Sequence, residues 1–230
     1  MPTWDPDICG QITEAIRAEV PEILINSSTG VMGTDISGPV GCLERIRPEI
    51  AAMNAGTLNY LKTRQSKPTW AWPPMVFDNP VSKVSAFLET MYELGIVPEC
   101  ECFDTGILRS LAMYKHVGLL KDPVHVSLVM GVASGMPAKK SWLPLLLEEL
   151  PEGADWQSIV IGRTEVWEVH QATAELGGHM RTGLEDTFYL PDGSKADSNG
   201  PLIEAIAQCV RNAGREVATP AQAREIMGVT

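Results

Sequence analysis

The stretch "VPECECFDTGILRSLAMYKHVG", residues 97–118, joins a strand pattern over residues 97–104 to a helix pattern over residues 105–118. The same order, a short strand followed by a longer helix, recurs along the chain. Strands separated by helices of this length pair in parallel through right-handed crossover connections. The stretch therefore predicts an α/β fold assembled from repeated strand–helix units.

This repeat can be followed through about six strand–helix units after a leading helix. Strands are predicted at residues 22–29, 51–60, 97–104, 125–132, 157–163 and 179–186, and helices at 5–19, 38–49, 79–95, 105–118, 136–150, 164–178 and 198–214. A last helix begins at "TPAQ", where Thr219, Pro220 and Gln222 predict a capping box with proline at the first helical position.

Two architectures suit such a repeat, a doubly wound open sheet and a (β/α)8 barrel. No G-x-G-x-x-G follows the first strand, which disfavours the dinucleotide-binding form of the open sheet. We predict a (β/α)8 TIM-type barrel, present as a single incomplete domain over residues 1–230. Because a complete barrel has eight strands, we expect the units in this chain to be strands 3–8 and one or two units to be missing at the front.

Composition limits the partners of the chain. Its formal net charge of −11 argues against nucleic acid and anionic membrane, since both require basic patches. No run approaches the roughly 18 apolar residues that span a bilayer, and the N-terminus lacks a signal pattern. Five cysteines, an odd number, indicate reduced thiols and a cytoplasmic location.

One segment interrupts the repeat. "LKTRQSKPTWAWPPMVFDNP", residues 61–80, is long, rich in proline and contains two tryptophans. A loop of this length in a compact domain is usually functional, so a lid or an oligomer contact is one interpretation. A loop that packs against its own domain is the other.

The predicted strand 179–186 carries ionisable side chains on one face. Strand alternation places Arg181 and Glu185 on the same face as His179, which would point into the barrel. Asp186 follows at the C-terminal end, where barrel active sites lie. An arginine inside a barrel requires a carboxylate partner, so a structural ion pair in the core is the alternative.

The strand 97–104 supplies such a partner. Glu99 and Glu101 share one face, and two carboxylates on one face of a buried strand require a cation or a proton. Arg181 is the obvious cation. Cys100 and Cys102 fall on the other face, where alternation explains them as small apolar side chains against helices rather than metal ligands.

Polar residues also follow two earlier strands. Asn26 and Ser28 share a face and Gly30 follows them, while Thr57 and Asn59 share a face on the next strand. Hydroxyl groups and free backbone N–H groups at strand ends suit an anionic group of a substrate. Ordinary turn chemistry of these residue types is the alternative.

The four histidines do not suggest catalysis. His116 and His170 lie on predicted helices, and His125 and His179 open strands at the end opposite the expected site. There is no G-x-S-x-G elbow and no phosphate-binding Walker loop. Nucleophilic serine chemistry and nucleotide hydrolysis are therefore not indicated.

The segments "GGHMRTGLEDTFY", "INSSTG", "VPECECFD" and "DSNGPLIE…GREVATPAQAREI" closely resemble the β-keto acid cleavage enzymes, including the 3-keto-5-aminohexanoate cleavage enzymes of lysine fermentation. The resemblance extends over nearly the whole chain. It implies a (β/α)8 barrel, usually a homo-oligomer, that condenses a β-keto acid with acetyl-CoA to give acetoacetate and a new CoA thioester. A divalent metal, usually Zn²⁺, polarises the keto group in this family.

The resemblance also implies roles for residues of this chain. Glu185 matches the glutamate that binds the metal, and Asp186 matches the general base. Arg181 matches the arginine paired with that base, and Glu101 matches its acidic helper.

Substrate-binding residues follow by the same resemblance. Ser28 and Gly30, together with Thr57, match the site for the substrate carboxylate. Gly162–Arg163 is expected to be a neighbour of the CoA.

One departure from the family concerns the metal. The family holds it with a His-x-His pair on an early strand, and this sequence contains no His-x-His. With Glu185 as its remaining ligand, we expect poor zinc binding.

Three hypotheses therefore stand. The chain is a metal-dependent β-keto acid cleavage enzyme, a catalytically impaired remnant or binding subunit of the same fold, or a different metal-dependent aldolase-type lyase.

Overall fold

The computed structural model describes residues 3–64 and 66–229. Over these residues the chain forms the strands β1 (Asn26–Ser27), β2 (Ile50–Asn54), β3 (Leu58–Tyr60), β4 (Thr63–Arg64), β5 (Lys67–Trp70), β6 (Met75–Phe77), β7 (Val97–Cys102), β8 (His125–Met130), β9 (Asp155–Val160) and β10 (His179–Arg181). The helices are α1 (Pro6–Glu19), α2 (Ser37–Ile46), α3 (Val81–Leu94), α4 (Thr105–His116), α5 (Leu143–Leu147), α6 (Val166–Glu175), α7 (Asn199–Asn212) and α8 (Pro220–Met227).

The main sheet contains six strands in the spatial order β1-β2-β7-β8-β9-β10, and every adjacent pair is parallel. Helices α3, α4 and α6 pack against strands of this sheet, and α7 packs on α6. This arrangement confirms the predicted α/β fold of strand–helix units. In the described chain, β1 and β10 end the order of the sheet and do not pair with each other.

The sheet is concave rather than flat. Strands β7 and β10 are three positions apart, which is roughly 14 Å in a flat sheet. Nevertheless Arg181 on β10 reaches Glu101 on β7, with 3.4 Å between Nη1 and Oε1. Curvature that brings these strands toward each other is the geometry of part of a barrel wall.

The two faces of the sheet differ as alternation predicts. Cys100 and Cys102 are fully buried on the helix-facing side of β7. Glu99 and Glu101 point to the concave side, where Ser127 joins them from β8. The apolar core therefore lies between sheet and helices, and the concave side is polar.

Several predicted boundaries are wrong. The strand at 22–29 shrinks to β1, and the strand at 157–163 is shifted to β9. The helix at 136–150 is replaced by a 3-10 turn at Lys140–Trp142 and the short α5. Pro144 lies in the first turn of α5, where its missing N–H costs nothing, and the α-helix begins at Leu143.

The segment at 61–80 is not an irregular loop. Strands β3 and β6 form one antiparallel ribbon, and β4 and β5 form a second. The predicted strand at 51–60 is consequently divided, because β2 stops at Asn54 and Leu58–Tyr60 belongs to the ribbon. Aromatic and β-branched residues in this segment favour strands despite its prolines.

At the C-terminus, the capping box predicted at Thr219 and Gln222 is present at the start of α8. None of the helices that the structure describes is long and apolar enough to cross a membrane.

Candidate active site

A cluster of three carboxylates surrounds one guanidinium group at the C-terminal ends of the strands. Arg181 Nη2 and Nε lie 3.0 Å and 3.3 Å from the two carboxylate oxygens of Asp186, which makes a two-point ion pair. Nη1 lies 3.4 Å from Glu101, and Nη2 lies 3.5 Å from Glu185. The structure thus brings together the four side chains that the sequence suggested.

The turn after β10 corrects the predicted arrangement of this cluster. The strand predicted at 179–186 ends at Arg181, because the N–H groups of Asp186 and Thr187 donate to the Gly183 carbonyl and close a turn. Strand alternation therefore does not apply to the last two acids. Glu185 is 85% exposed and Asp186 is 3% exposed, the reverse of the predicted inward glutamate and rim aspartate.

Burial sets the protonation behaviour of the cluster. It raises the pKa of Glu101 to about 7, with a further contribution from the neighbouring Glu99 carboxylate and an opposing one from Arg181. Burial also raises the pKa of Asp186, again opposed by Arg181. For Arg181, burial acts to lower the pKa, but the carboxylates of Asp186, Glu101 and Glu185 raise it overall. A permanent cation therefore faces carboxyl groups that exchange protons more readily near neutral pH than ordinary ones.

A hydrogen-bonded layer lies beneath this cluster on the concave side. Glu99 is 1% exposed and accepts hydrogen bonds from Asn26, Ser127 and Gln157, the last at 2.9 Å. Gln157 also donates to Ser127 at 2.8 Å. These partners come from β1, β8 and β9, so one carboxylate links four strands and supports the floor of the site.

The predicted carboxylate-binding residues are only partly brought together. Gly30 lies beside Asn54, since a side chain added at Gly30 would come within 3.5 Å of the Asn54 amide. Thr57 is exposed outside the barrel strands and its hydroxyl accepts a hydrogen bond from the Asn79 N–H at 2.8 Å, so it ties two loops together. Ser28 is exposed in the loop that follows β1.

Asn54 is a site residue that sequence reasoning missed. It is buried at the C-terminal end of β2 and pairs in register with Glu101. The available signal was a polar residue ending the apolar run "IAAM", at the strand end where barrel sites are built. Asn54 therefore lies between Gly30, which is beside its amide, and Glu101, which is its register partner in the carboxylate cluster.

The opposite end of the sheet holds His125 and His179, as predicted. Asp155 lies 3.5 Å from His125 Nδ1 and 3.2 Å from His179 Nε2. His125 Nε2 is 3.1 Å from the Met227 carbonyl of α8. His170 is buried on α6 beside Ser158, and burial lowers its pKa to about 4.

The described residues do not fit a metal centre by themselves. Within residues 3–64 and 66–229, no group of three or more His, Cys, Asp or Glu side chains could hold an ion. Glu185, the predicted ligand, is exposed and lies against the Arg181 cation, which opposes binding of a second cation.

The loop after β9 touches the cluster from the side. The Gly162 N–H donates to the Asp186 carbonyl at 3.2 Å. Arg163 stacks over the Tyr189 ring, 4.3 Å from its centroid. The expected CoA neighbours thus adjoin the loop that carries Asp186.

Comparison with known proteins identifies related enzymes. A family model described as beta-keto acid cleavage enzyme matches residues 1–229. The chain is 32% identical over 235 residues to a 3-keto-5-aminohexanoate cleavage enzyme of Fusobacterium nucleatum, covering 99% of this chain and 79% of that one. It is also 32% identical over 232 residues to a 3-oxoadipate:acetyl-CoA acetyltransferase of Cupriavidus necator, covering 99% and 76%.

Solved structures support the fold. The apo structure of ObcA superposes with a TM-score of 0.79 at 17% identity. The match covers 98% of this chain and 55% of the ObcA chain, so this chain spans little more than half of that protein.

Proposed function

The chain belongs to the β-keto acid cleavage enzyme family, and we propose that it transfers an acetyl group from acetyl-CoA to the carboxylate-bearing fragment of a β-keto acid. The products would be acetoacetate and the CoA thioester of the remaining acyl group. The names of its relatives describe reactions of this class on different β-keto acids.

The observation that carries this proposal is the two-point pair between Arg181 and Asp186 beside Glu101. The carbon between the keto and carboxylate groups of a β-keto acid is acidic, so one carboxylate base can remove its proton. Asp186 is buried and held in one orientation by the guanidinium group, which is what a general base requires.

The proposed steps balance with these reactants. Asp186 takes the proton, and the resulting carbanion attacks the acetyl carbonyl and releases the CoA thiolate. The thiolate then attacks the original keto carbon, and the bond between that carbon and the carboxylate-bearing carbon breaks. Asp186 returns the proton to the acetoacetate carbanion.

Other residues of the site would position the reactants. We assign the substrate carboxylate to the region of Ser28 and Gly30, next to the Asn54 amide. Arg181 would keep Asp186 ionised at neutral pH, against the burial that raises its pKa. Glu101 accepts from the other edge of Arg181, so its protonation state changes the charge that faces Asp186.

Isotope tracing tests this function. The chain is incubated with acetyl-CoA that carries ¹³C in both acetyl carbons, together with one unlabelled β-keto acid. 3-Oxoadipate and 3-keto-5-aminohexanoate are used in separate reactions. The proposal requires acetoacetate labelled in its methyl ketone half and unlabelled in its carboxylate half. Cleavage without acetyl-CoA would support an aldolase-type lyase, and a lack of acetoacetate across a broad panel of β-keto acids would contradict the proposal.

A further inference from the structure

The two ribbons after β2 form a basic arm, defined as residues 58–64 and 66–77. Residues 58–77 contain three of the chain's 18 basic residues and none of its 29 acidic ones. The chain as a whole carries a net charge of −11. The basic arm is therefore a positive segment in an acidic protein, and an anion is the partner that it suits.

The positive charges of the basic arm are available. Within the described residues, Lys62, Arg64 and Lys67 take part in none of the ion pairs, and all three are exposed. Arg64 Nε donates to the Trp70 carbonyl at 3.3 Å, which orients its guanidinium group along the β4–β5 ribbon. These cations are held on a defined surface without a protein carboxylate to neutralise them.

Flat aromatic side chains lie among these charges. Tyr60 and Trp72 stack with their ring centroids 5.4 Å apart, and Lys62 lies 5.3 Å from the Trp72 ring. Trp70 is 49% exposed on the same ribbon as Arg64 and Lys67. Exposed indole rings beside cations are the combination that binds a nucleobase together with its phosphates.

The basic arm lies at the catalytic end of the sheet. It begins just after β2, and its Leu61 N–H donates to Ser134 Oγ at 3.0 Å, in the loop that follows β8. Phe77 meets Phe103, which follows β7, edge to face at 5.9 Å. The arm thus bridges the C-terminal ends of β2 and β8, past the strand that carries Glu101.

We propose that the basic arm binds the nucleotide end of acetyl-CoA, an assignment that rests on the proposed function. Lys62, Arg64 and Lys67 would contact the 3′-phosphate and the diphosphate, and Trp70 would stack on the adenine. The long pantetheine chain would then lead from the arm to the carboxylate cluster. A second copy of the chain is the competing occupant, since its acidic surface could also cover the arm.

Calorimetric titration with adenosine 3′,5′-bisphosphate tests the site without any turnover. The Lys62→Gln/Lys67→Gln variant is compared with Arg109→Gln/Lys121→Gln, which removes the same charge from exposed positions in and just after α4. The arm variant should bind the bisphosphate about tenfold more weakly than the wild type, and the control should bind within about twofold. Equal affinities of the two variants would overturn the proposal.

Kinetics with a shortened substrate separate this site from the catalytic one. In the arm variant KM for acetyl-CoA should rise about tenfold. KM for acetyl-pantetheine, which lacks the nucleotide, should stay unchanged. A chain that produces acetoacetate but shows equal increases for both thioesters would contradict the arm assignment alone. Bisphosphate binding by a chain that produces no acetoacetate would contradict only the proposed function.

Sedimentation velocity addresses the competing occupant. If the arm variant changes its oligomeric state while its bisphosphate affinity stays at the wild-type value, the arm is an interface between copies and the nucleotide assignment is wrong. Unchanged sedimentation together with weakened bisphosphate binding supports the assignment.

Discussion

Each end of the sheet holds carboxyl groups beside basic side chains, but the pKa shifts of the carboxyl groups at the two ends have opposite directions. At the C-terminal end, burial raises the pKa values of Glu101 and Asp186 above their ordinary values despite Arg181. At the N-terminal end, burial also acts to raise the pKa of Asp155, but the neighbouring imidazole groups of His125 and His179 lower it overall. A carboxylate with a lowered pKa is a fixed anion, whereas one with a raised pKa can accept or release a proton near neutral pH.

The surroundings of the two clusters agree with this difference. The N-terminal cluster is tied to α8 through His125 and the Met227 carbonyl, and Glu49 nearby binds both Arg17 and Arg224. Its groups are thus used to fasten helices to the sheet. The C-terminal cluster is bordered instead by the turn that closes at Gly183 and by the loop after β9, and its Glu185 is exposed while Arg181 is partly exposed.

The largest expected effect comes from Asp186. Asp186→Asn removes the proposed base while keeping the size of the side chain, and kcat for acetoacetate formation should fall about 1,000-fold. Asp192→Asn, an exposed aspartate in the following loop, serves as the matched control and should retain wild-type kcat. A loss of less than tenfold for Asp186→Asn would exclude it as the base.

Arg181→Met should lower kcat about 100-fold, because the cation that orients and ionises Asp186 is lost. Without that cation the pKa values of Asp186 and Glu101 rise further, so the rising limb of kcat/KM against pH should move to higher pH. Arg181→Lys keeps the charge without the two-point geometry, so its kcat should lie between those of wild type and Arg181→Met. An unchanged profile in Arg181→Met would contradict the assigned pairing.

Glu101→Gln should reduce kcat/KM about tenfold and remove the ionisation near pH 7 from its pH profile. A carboxyl group whose pKa is raised in the folded state costs stability as pH rises from about 4.3 to about 7. Urea unfolding should therefore show the variant gaining stability relative to wild type as the pH rises from about 4.3 to about 7, with a constant difference above that. Equal pH dependences of unfolding for the two proteins would count against a raised pKa.

Asp155→Asn should leave kcat nearly unchanged and should lower the free energy of unfolding by about 1–2 kcal/mol at pH 7. The pKa of Asp155 is lowered in the folded state, so its stabilising contribution is present above the unfolded pKa and disappears as pH falls below about 4. Urea unfolding at several pH values measures this difference. A large loss of kcat at full folding would show that both ends of the sheet take part in catalysis.

Sequence patterns correctly predicted which side chains lie at each end of the sheet where the strands are regular. Alternation along β7 predicted that Glu99 and Glu101 share the concave side, and the parallel strand order brings Arg181 to Glu101. His125 and His179 were predicted at the opposite end because each begins its strand, and the structure places them there.

The same patterns failed where the chain leaves its strands. The orientations of Glu185 and Asp186 depend on a turn closed at Gly183, which alternation does not describe. Thr57 was predicted on the strand at 51–60, but that strand, β2, ends at Asn54. Asn54 was not predicted as a site residue because a single polar residue after an apolar run is a weak sequence signal. The segment 61–80 was predicted to be a loop because its prolines obscured the strand-forming residues between them.

Carboxyl ¹³C NMR of the side chains tests the central contrast most directly. The chain is labelled at its aspartate and glutamate carboxyl carbons, and Glu101→Gln and Asp155→Asn assign the two signals. We expect Glu101 to titrate near pH 7, while Asp155 stays ionised below the pH at which ordinary aspartates protonate. Titration of both groups near pH 4 would contradict it, because the two ends of the sheet would then hold equivalent surface carboxylates.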